Sequence, residues 1–451
     1  MPLSTSSLAA AVPSQISFTT ALRFWLKLGF ISFGGPAGQI SIMHDELVER
    51  RRWISERRFL NALNFTMLLP GPEAQQLATY IGWLLHGIAG GIAAGLLFIV
   101  PSFFILAVLA WLYLALGDVA IVQGVLYGIK PAVTAIVLFA AFRIGSRALK
   151  NPLLWLLAVL SFVAIAVFNV PFPYIVLGAA TAGLLLNYVK PEYIHETGAA
   201  DNVLTNHHNP ALVDDDTPIP RHAVFTWRRT ALFVVCGIGI WASALGALTL
   251  LYGWQATFTQ IGWFFTKAAL LTFGGAYAVL PYVYQGGVDT YAWLTAAQMI
   301  DGLALGETTP GPLIMIVTFV GFIGGWTKAA LGSESLLLSA WVSAAVATFF
   351  TFLPSFLFIL VGGPAIEATR RNLKFAAPLI AITASVVGVI VNLAVFFAYH
   401  VLWPHGIAGH FEWTAAVFGG IAFVALFRFR VGVIPVIAVA ALGGVIYQLL
   451  F

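Results

Sequence analysis

Long apolar runs separated by short polar connections dominate the chain. They lie near 20–42, 59–86, 88–116, 124–142, 152–170 and 172–189. After a polar stretch from Pro191 to Trp227 they resume near 229–252, 257–283, 295–324, 336–361, 376–399, 413–427 and 431–450. About 20 apolar residues suffice for a helix to cross a bilayer. The pattern therefore predicts an all-α polytopic membrane protein of about 13 hydrophobic segments, ordered as six, a linker, one, and six. Residues 1–17 have neither a basic start nor a clean apolar centre, so insertion is expected to use the internal segments rather than a signal peptide.

Composition agrees. Of 451 residues, 60% are hydrophobic and 9% charged, with a mean hydropathy of +0.93. Soluble domains carry roughly a quarter charged residues, so a water-covered enzyme is excluded. The net charge of +4 is too thinly spread for a nucleic-acid footprint. The single Cys236 rules out an internal disulfide and a cysteine metal site. In the polar stretch, His195, His207, His208 and His222 accompany Asp214, Asp215 and Asp216. Without a metal-ligand spacing among them, a solvated linker is expected there.

A duplication organises the rest. Phe33-Gly34-Gly35 recurs as Phe273-Gly274-Gly275, Trp53 as Trp293, Pro70-Gly71-Pro72 as Pro310-Gly311-Pro312, and Lys27 as Lys267, all 240 residues apart. Pro101-Ser102-Phe103 recurs as Pro354-Ser355-Phe356 after an insertion. Arg50, Arg51, Arg52, Arg57 and Arg58 follow the first segment, whereas the matching stretch Tyr284 to Trp293 has no Lys or Arg. Because basic loops favour the cytoplasm, one copy is expected upside down, with the extra segment at 229–252 supplying the odd crossing. Placing Arg143, Arg147 and Lys150, Arg228 and Arg229, Arg370 to Lys374, and Arg428 to Arg430 inside requires the Pro-Gly-Pro segments to enter and leave on one side, which leaves Lys328 outside. These segments, and with them the breaks at Gly-Gly, are expected to be broken helices or hairpins.

Proline removes a backbone donor and glycine tolerates non-helical angles, so such breaks leave unmade hydrogen bonds at membrane depth. Unpaired backbone survives there only inside protein or beside a water-lined cavity. Helix N-termini at the breaks present N–H groups and positive dipole ends, which suit an anion. The candidate binding residues are Gly34, Gly35, Pro36, Pro70, Gly71, Pro72, Gln75, Gln76, Gly274, Gly275, Thr308, Thr309, Pro310, Gly311 and Pro312. Lys27 and Lys267, seven residues before their Gly-Gly, either attract the anion or snorkel to an interface. Glu73, Glu307 and Asp301 are candidates to carry a coupling proton, since ionisable groups in apolar segments are costly. Met67 matches Glu307 and Leu313 matches Glu73, so the halves are chemically unequal. Lys130 is expected to mark a helix end, and Arg50 to Arg58 an interfacial segment anchored by Trp53 and Ile54.

Phe33-Gly34-Gly35-Pro36, Trp53, Leu69-Pro70-Gly71-Pro72 with Tyr80-Ile81-Gly82, and Val100-Pro101-Ser102-Phe103 closely resemble the chromate ion transporter family. Thr272-Phe273-Gly274-Gly275, Thr309-Pro310-Gly311-Pro312 and Leu353-Pro354-Ser355-Phe356 resemble its C-terminal domain, as in the long, two-domain form. The resemblance implies chromate efflux across the bacterial inner membrane, with sulfate as the similar oxyanion. The expected domains are repeats at 18–190 and 257–451, a cytoplasmic linker at 191–227 and a connecting helix at 228–253. The N-terminus is expected inside and the C-terminus outside. The absence of a G-x-x-x-x-G-K-[ST] motif argues against ATP drive, and H-E-x-x-H and G-x-S-x-G are also absent. No enzyme activity, metal or cofactor is expected. The partners are chromate or sulfate and the lipid bilayer, no nucleic acid, and a homodimer is left open. Sulfate uptake and an anion channel are the alternatives.

Overall fold

The computed structural model describes residues 16–33, 35–117, 119–189, 211–215, 217–218, 220–369, 376–406 and 409–450. Gly34, His195, His207, His208, Asp216 and the Arg370 to Lys374 stretch lie outside them. The described residues are helical apart from connections and one isolated bridge between Ile54 and Val213. The first half contains α1 (Phe18–Ile31), α2 (Gly35–His44), α3 (Glu56–Leu68), α4 (Glu73–Leu116), α5 (Ala120–Ala148), α6 (Pro152–Ala166) and α7 (Phe172–Val189). A peripheral α8 (Trp227–Tyr252) precedes α9 (Thr257–Leu271), α10 (Ala276–Tyr284), α11 (Ala296–Thr308), α12 (Ile316–Thr327) and α13 (Leu336–Thr369). The chain closes with α14 (Ala376–Leu402), α15 (Trp413–Phe427) and α16 (Val433–Leu450). Six described helices are long and apolar enough to cross a membrane. Their outer faces leave residues such as Leu250, Phe142 and Leu442 exposed, the surface that lipid covers in a multi-pass membrane protein.

The sequence repeat is a structural repeat to the level of single bonds. Both α2 and α10 run into a π turn, Asp45–Arg50 and Gln285–Thr290. Each turn is followed by a left-handed residue, Arg52 and then Ala292. Trp53 N–H donates to Leu47 O at 2.7 Å, and Trp293 N–H to Gly287 O at 2.7 Å. Both indoles are buried. Trp53 packs edge-on to Phe24 and Trp293 stacks on Tyr291. Trp53 and Ile54 are thus core residues rather than interfacial anchors, because the turn folds them inward onto α1 and onto Val213.

The Pro-Gly-Pro segments are helical hairpins. Helix α4 reverses at His86–Gly87, where Gly87 has φ +64, so its 73–85 arm lies against its 88–116 arm: Gly91 abuts Trp83, and Gly82 abuts Gly90 and Ala94. That reversal falls between the apolar runs 59–86 and 88–116. Arg58, near the start of α3, and Tyr80, near the end of the 73–85 arm, both reach Glu367. The two arms of the first hairpin therefore share one open end, with its tip at Gly71. In the second hairpin Gly302 of α11 meets Phe319 of α12, and Trp293 beside the start of α11 meets Gly324 near the end of α12.

One helix spans both hairpins. Along α13, Ser343 lies beside Gly325 at the open end of the second hairpin, Ser355 beside Gly71, and Glu367 beside Arg58. The 88–116 arm runs the other way, from Gly91 beside Trp83 through Ser102 beside Gly311 to Tyr113 against Asp301. The hairpins thus meet tip to tip, with their open ends at opposite ends of the molecule. Each hairpin helix of about 13 residues measures roughly 20 Å, too short to cross the roughly 30 Å hydrocarbon alone.

The later helices exchange partners between halves. Helix α5 packs on α15 and α16, while α14 packs on α6 and α7. Small residues permit the close approach: Gly128 sits against Ala440 and Gly444, and Gly388 against Ala158. Lys130 lies inside α5 rather than at a helix end, and Arg143 and Arg147 also lie within this helix. Within the helix Lys130 meets a protein partner, Asp301, at 3.4 Å.

Candidate functional site: crossed helix breaks

Each Gly/Pro motif ends one short helix and begins another. Gly35, Gly71, Gly274, Gly275 and Gly311 have φ of +70, +129, +78, +98 and +100, angles that a side chain resists. Immediately after the breaks start α2, the 73–85 arm, α10, and the 3₁₀ turn Leu313–Met315 that leads into α12. Ala278 N–H donates to Gly275 O at 3.1 Å and Met315 N–H to Pro312 O at 2.9 Å, while N–H groups at the very start of a helix have no partner within it.

The breaks of the two halves cross. Gly71 N–H donates to Thr272 O at 2.7 Å, and Gly311 N–H donates to Ser32 O at 2.8 Å. The 240-residue shift carries one bond onto the other. Ser355 stands beside Gly71 and Ser102 beside Gly311, so each tip also rests on the long helix of the opposite half. Gln39 Nε2 joins the crossing by donating to Gly311 O at 2.5 Å and Ser32 O at 3.3 Å. Gln76 Nε2 donates to Pro70 O at 2.8 Å and Gln75 Nε2 to Thr79 Oγ1 at 3.0 Å. Around this framework the Oγ atoms of Ser32, Ser102 and Ser355 and the Oε1 atoms of Gln39, Gln75 and Gln76 are buried without a hydrogen-bond partner. Buried polar atoms are rarely left unsatisfied; the three serine hydroxyls can donate to a solute's acceptor oxygens, whereas the three glutamine oxygens can only accept.

Two acids from different halves flank the first turn of α10. Tyr277 O–H donates to Glu307 Oε1, and Glu73 turns its Oε1 toward Gly275. Glu307 is 5% exposed. Arg143 lies within electrostatic reach of Tyr277. Asp301 is not part of this group. It lies at the open end of the second hairpin with Tyr113 O–H at 3.0 Å and Lys130 Nζ at 3.4 Å. Thr308 and Thr309 turn their hydroxyls back to Leu305 O and Gly306 O. Lys27 is exposed on the outer side of α1, and Lys267 lies over the Trp263 ring at 5.6 Å, so neither converges on the breaks.

The duplicated, motif-bearing framework is also what relates the chain to known proteins: the sequence profile of the chromate transporter family matches residues 19–184 and 259–445. The chain belongs to the chromate transporter family. A chromate transport protein from Pseudomonas aeruginosa is 32% identical over 447 residues, covering 98% of this chain and 95% of that one. One from Cupriavidus metallidurans is 29% identical, covering 84% of this chain and 82% of its own length. A probable chromate transport protein from Synechococcus elongatus is 28% identical, covering 83% and 82%. No solved structure matches the chain. As a member of this family, the chain is a membrane transporter rather than an enzyme.

Several residues of the transporter's crossing escape notice in the sequence. Tyr277 and Gln39 carry no charge and have no repeat mate of their own type, Ala37 and Val279 occupying those places. Ser102 and Ser355 lie within the duplicated Pro-Ser-Phe motif, which is the signal that points to them. Arg143 reads as part of a basic loop because the next residues, Arg147 and Lys150, are also basic.

Proposed function

We propose that the transporter exports the chromate dianion across the bacterial inner membrane, driven by the membrane potential and coupled to protons, with the oxyanion held by helix N-termini where the breaks cross. The observation that carries this proposal is the reciprocal pair of bonds, Gly71 to Thr272 and Gly311 to Ser32, set among buried hydroxyl and amide groups. N-terminal N–H groups and serine hydroxyls are donors to oxyanion oxygens. Glu73 and Glu307 are the proton carriers, since both flank the first turn of α10. The relatives from Pseudomonas aeruginosa and Cupriavidus metallidurans, both chromate transport proteins, suggest chromate as the cargo. Export of a dianion from a negative-inside cell gains about 2.3 kcal/mol per charge per 100 mV, or roughly 4–5 kcal/mol.

The proposed architecture is two repeats, 18–190 and 257–451, in inverted topology, joined by a cytoplasmic linker at 191–227 and a connecting helix at 228–253. Both hairpins are re-entrant, from opposite faces. The tip-to-tip hairpins and the opposed directions of α13 and the 88–116 arm support this, as does the linker: Thr217 O accepts from Arg58 and His222 contacts Trp83 O, both at the open end of the first hairpin. The N-terminus is then cytoplasmic and the C-terminus outside. Cysteines placed at Arg147 and Val288 should label from opposite sides, and same-side labelling would sink the topology.

Radiolabelled chromate and sulfate flux into proteoliposomes, under imposed pH gradients and potentials, tests the function. Wild-type protein should move chromate with the potential, and Glu307→Gln and Glu73→Gln should lose the response to a pH gradient. Backbone donors fit any tetrahedral dianion, so a preference for sulfate would reassign the cargo. Flux far above carrier rates would make the protein a channel, and no oxyanion flux under any gradient would end the assignment.

A further inference from the structure

The open ends of the two hairpins each carry a polar cluster, and the two clusters are in different states. At the first hairpin Arg58 Nη1 lies 3.8 Å from Glu367 Oε2, with side chains 5% and 7% exposed. Tyr80 O–H donates to the other Glu367 oxygen at 2.5 Å. Arg58 Nη2 donates to Thr217 O at 2.6 Å, so the linker covers the pair. Phe65 and Trp83 fill the space below by packing against Gly362 and Gly363 of α13. This end is sealed.

The repeat carries these positions to the other end of the molecule. The 240-residue shift takes Arg58 to Gln298, and the 253-residue shift of the Pro-Ser-Phe motif takes Glu367 to Leu114. Both mates line a polar cleft of about 530 Å³, together with Tyr113, Gln123, Tyr127, Lys130, Asp301 and Gln448. Its charged pair, Lys130 and Asp301, is 30% and 3% exposed. The equivalent interface between hairpin and long helix is therefore closed around an ion pair at one end, and at the other it opens into a cleft beside the Tyr113–Asp301 bond.

We propose that Arg58, Tyr80 and Glu367 form the closed gate on the linker side of the oxyanion path, and that the cleft at Lys130 and Asp301 is its open counterpart. The structure is then one of two alternating states. Loading from the linker side separates Glu367 from Arg58 and Tyr80 while the cleft walls, Gln298 and Leu114, come together. Repeats exchanging conformations around a fixed central site would produce this alternation. Removing one partner of a buried ion pair destabilises the state that contains it, so loss of the pair shifts the population toward the state in which it is already broken. This inference rests on the carrier reading of the crossing.

Maleimide labelling tests it without any oxyanion, so failure of chromate flux and failure of the gate are distinguishable. The full chain is used with Cys236, its exposed single cysteine, changed to Ser. Reporters are Leu114→Cys in the cleft and Ala62→Cys on the buried face of α3. The first should react faster in the otherwise native protein. Adding Glu367→Gln should slow Leu114→Cys and speed Ala62→Cys, changing their ratio on the order of tenfold. The charge exchange Arg58→Glu with Glu367→Arg should return the ratio toward its original value. Unchanged rates, or a rise at both reporters together, would overturn the gate. Should Glu367→Gln not fold, Tyr80→Phe removes only one hydroxyl donor and must move the ratio in the same direction; no movement there also overturns it.

Discussion

An alanine at position 311 would place its Cβ 2.7 Å from Ser102 Cβ and 2.9 Å from Ser102 Oγ, at a φ of +100. An alanine at position 71 would meet Ser355 Oγ and Gln76 Nε2, each at 2.5 Å, at a φ of +129. The backbone cost is shared, about 1–3 kcal/mol for a side chain in this region. The contact cost is not. At 71 the clashing atoms end movable side chains, and turning Gln76 away loses its bond to Pro70 O, about 1 kcal/mol. At 311 the nearest atom is a Cβ fixed on the long helix, so the helix itself must shift, adding about 1–3 kcal/mol. The assay is unfolding in detergent, followed by tryptophan fluorescence. Ser355→Ala should recover part of the loss caused by Gly71→Ala, about 1 kcal/mol, whereas Ser102→Ala, which leaves the 2.7 Å Cβ contact in place, should recover less of the loss caused by Gly311→Ala. Equal rescue at both tips would refute the crossing geometry.

Tyr277→Phe removes the hydroxyl donor to Glu307; unfolding should show a loss of about 1–2 kcal/mol, and oxyanion flux should fall with it. Ala292→Gly relieves a left-handed alanine after the second π turn and should raise stability by about 0.5–1 kcal/mol in the same unfolding assay. At the linker end, burial raises the Glu46 carboxyl, but Arg51 and Arg50, at 3.0 and 3.1 Å, outweigh it and hold the pKa below its ordinary value. Its contribution is therefore present above the ordinary carboxylate range and lost as pH falls through the lowered value. Glu46→Gln should cost up to about 1 kcal/mol at pH 7, and a pH series should show that difference vanish in acid.

The fold was legible where it rests on repetition. Motifs at one offset identify two copies, and the Pro-Gly-Pro and Gly-Gly positions mark the breaks, because glycine and proline act locally on the backbone. The basic residues give only an expectation, that the Pro-Gly-Pro segments enter and leave on one side, which belongs to the proposed topology. Partnerships between halves were not legible. Lys130 reads as the end of an apolar run, yet it continues α5 and meets Asp301. Arg58 reads as one of five arginines in a surface stretch, yet it is buried against Glu367. Hydropathy scores a charge by its type alone, and whether its partner stands opposite depends on contacts hundreds of residues away. Tyr277 at Glu307 is equally hidden, since a phenol carries no charge to attract notice.

The exchange of later helices between halves has a consequence for how the protein is made. Helix α5 is complete at Ala148, but α16, whose Gly444 receives Gly124 and Gly128, begins at Val433. At roughly 5–20 residues per second, synthesis takes roughly 15–60 s to cover that interval. Through it the glycine face of α5 has only lipid or the insertion machinery to lie against. The first half therefore cannot complete its own packing while the second is being made, and the two copies, though duplicates, must mature as a single unit after the last helix enters the bilayer.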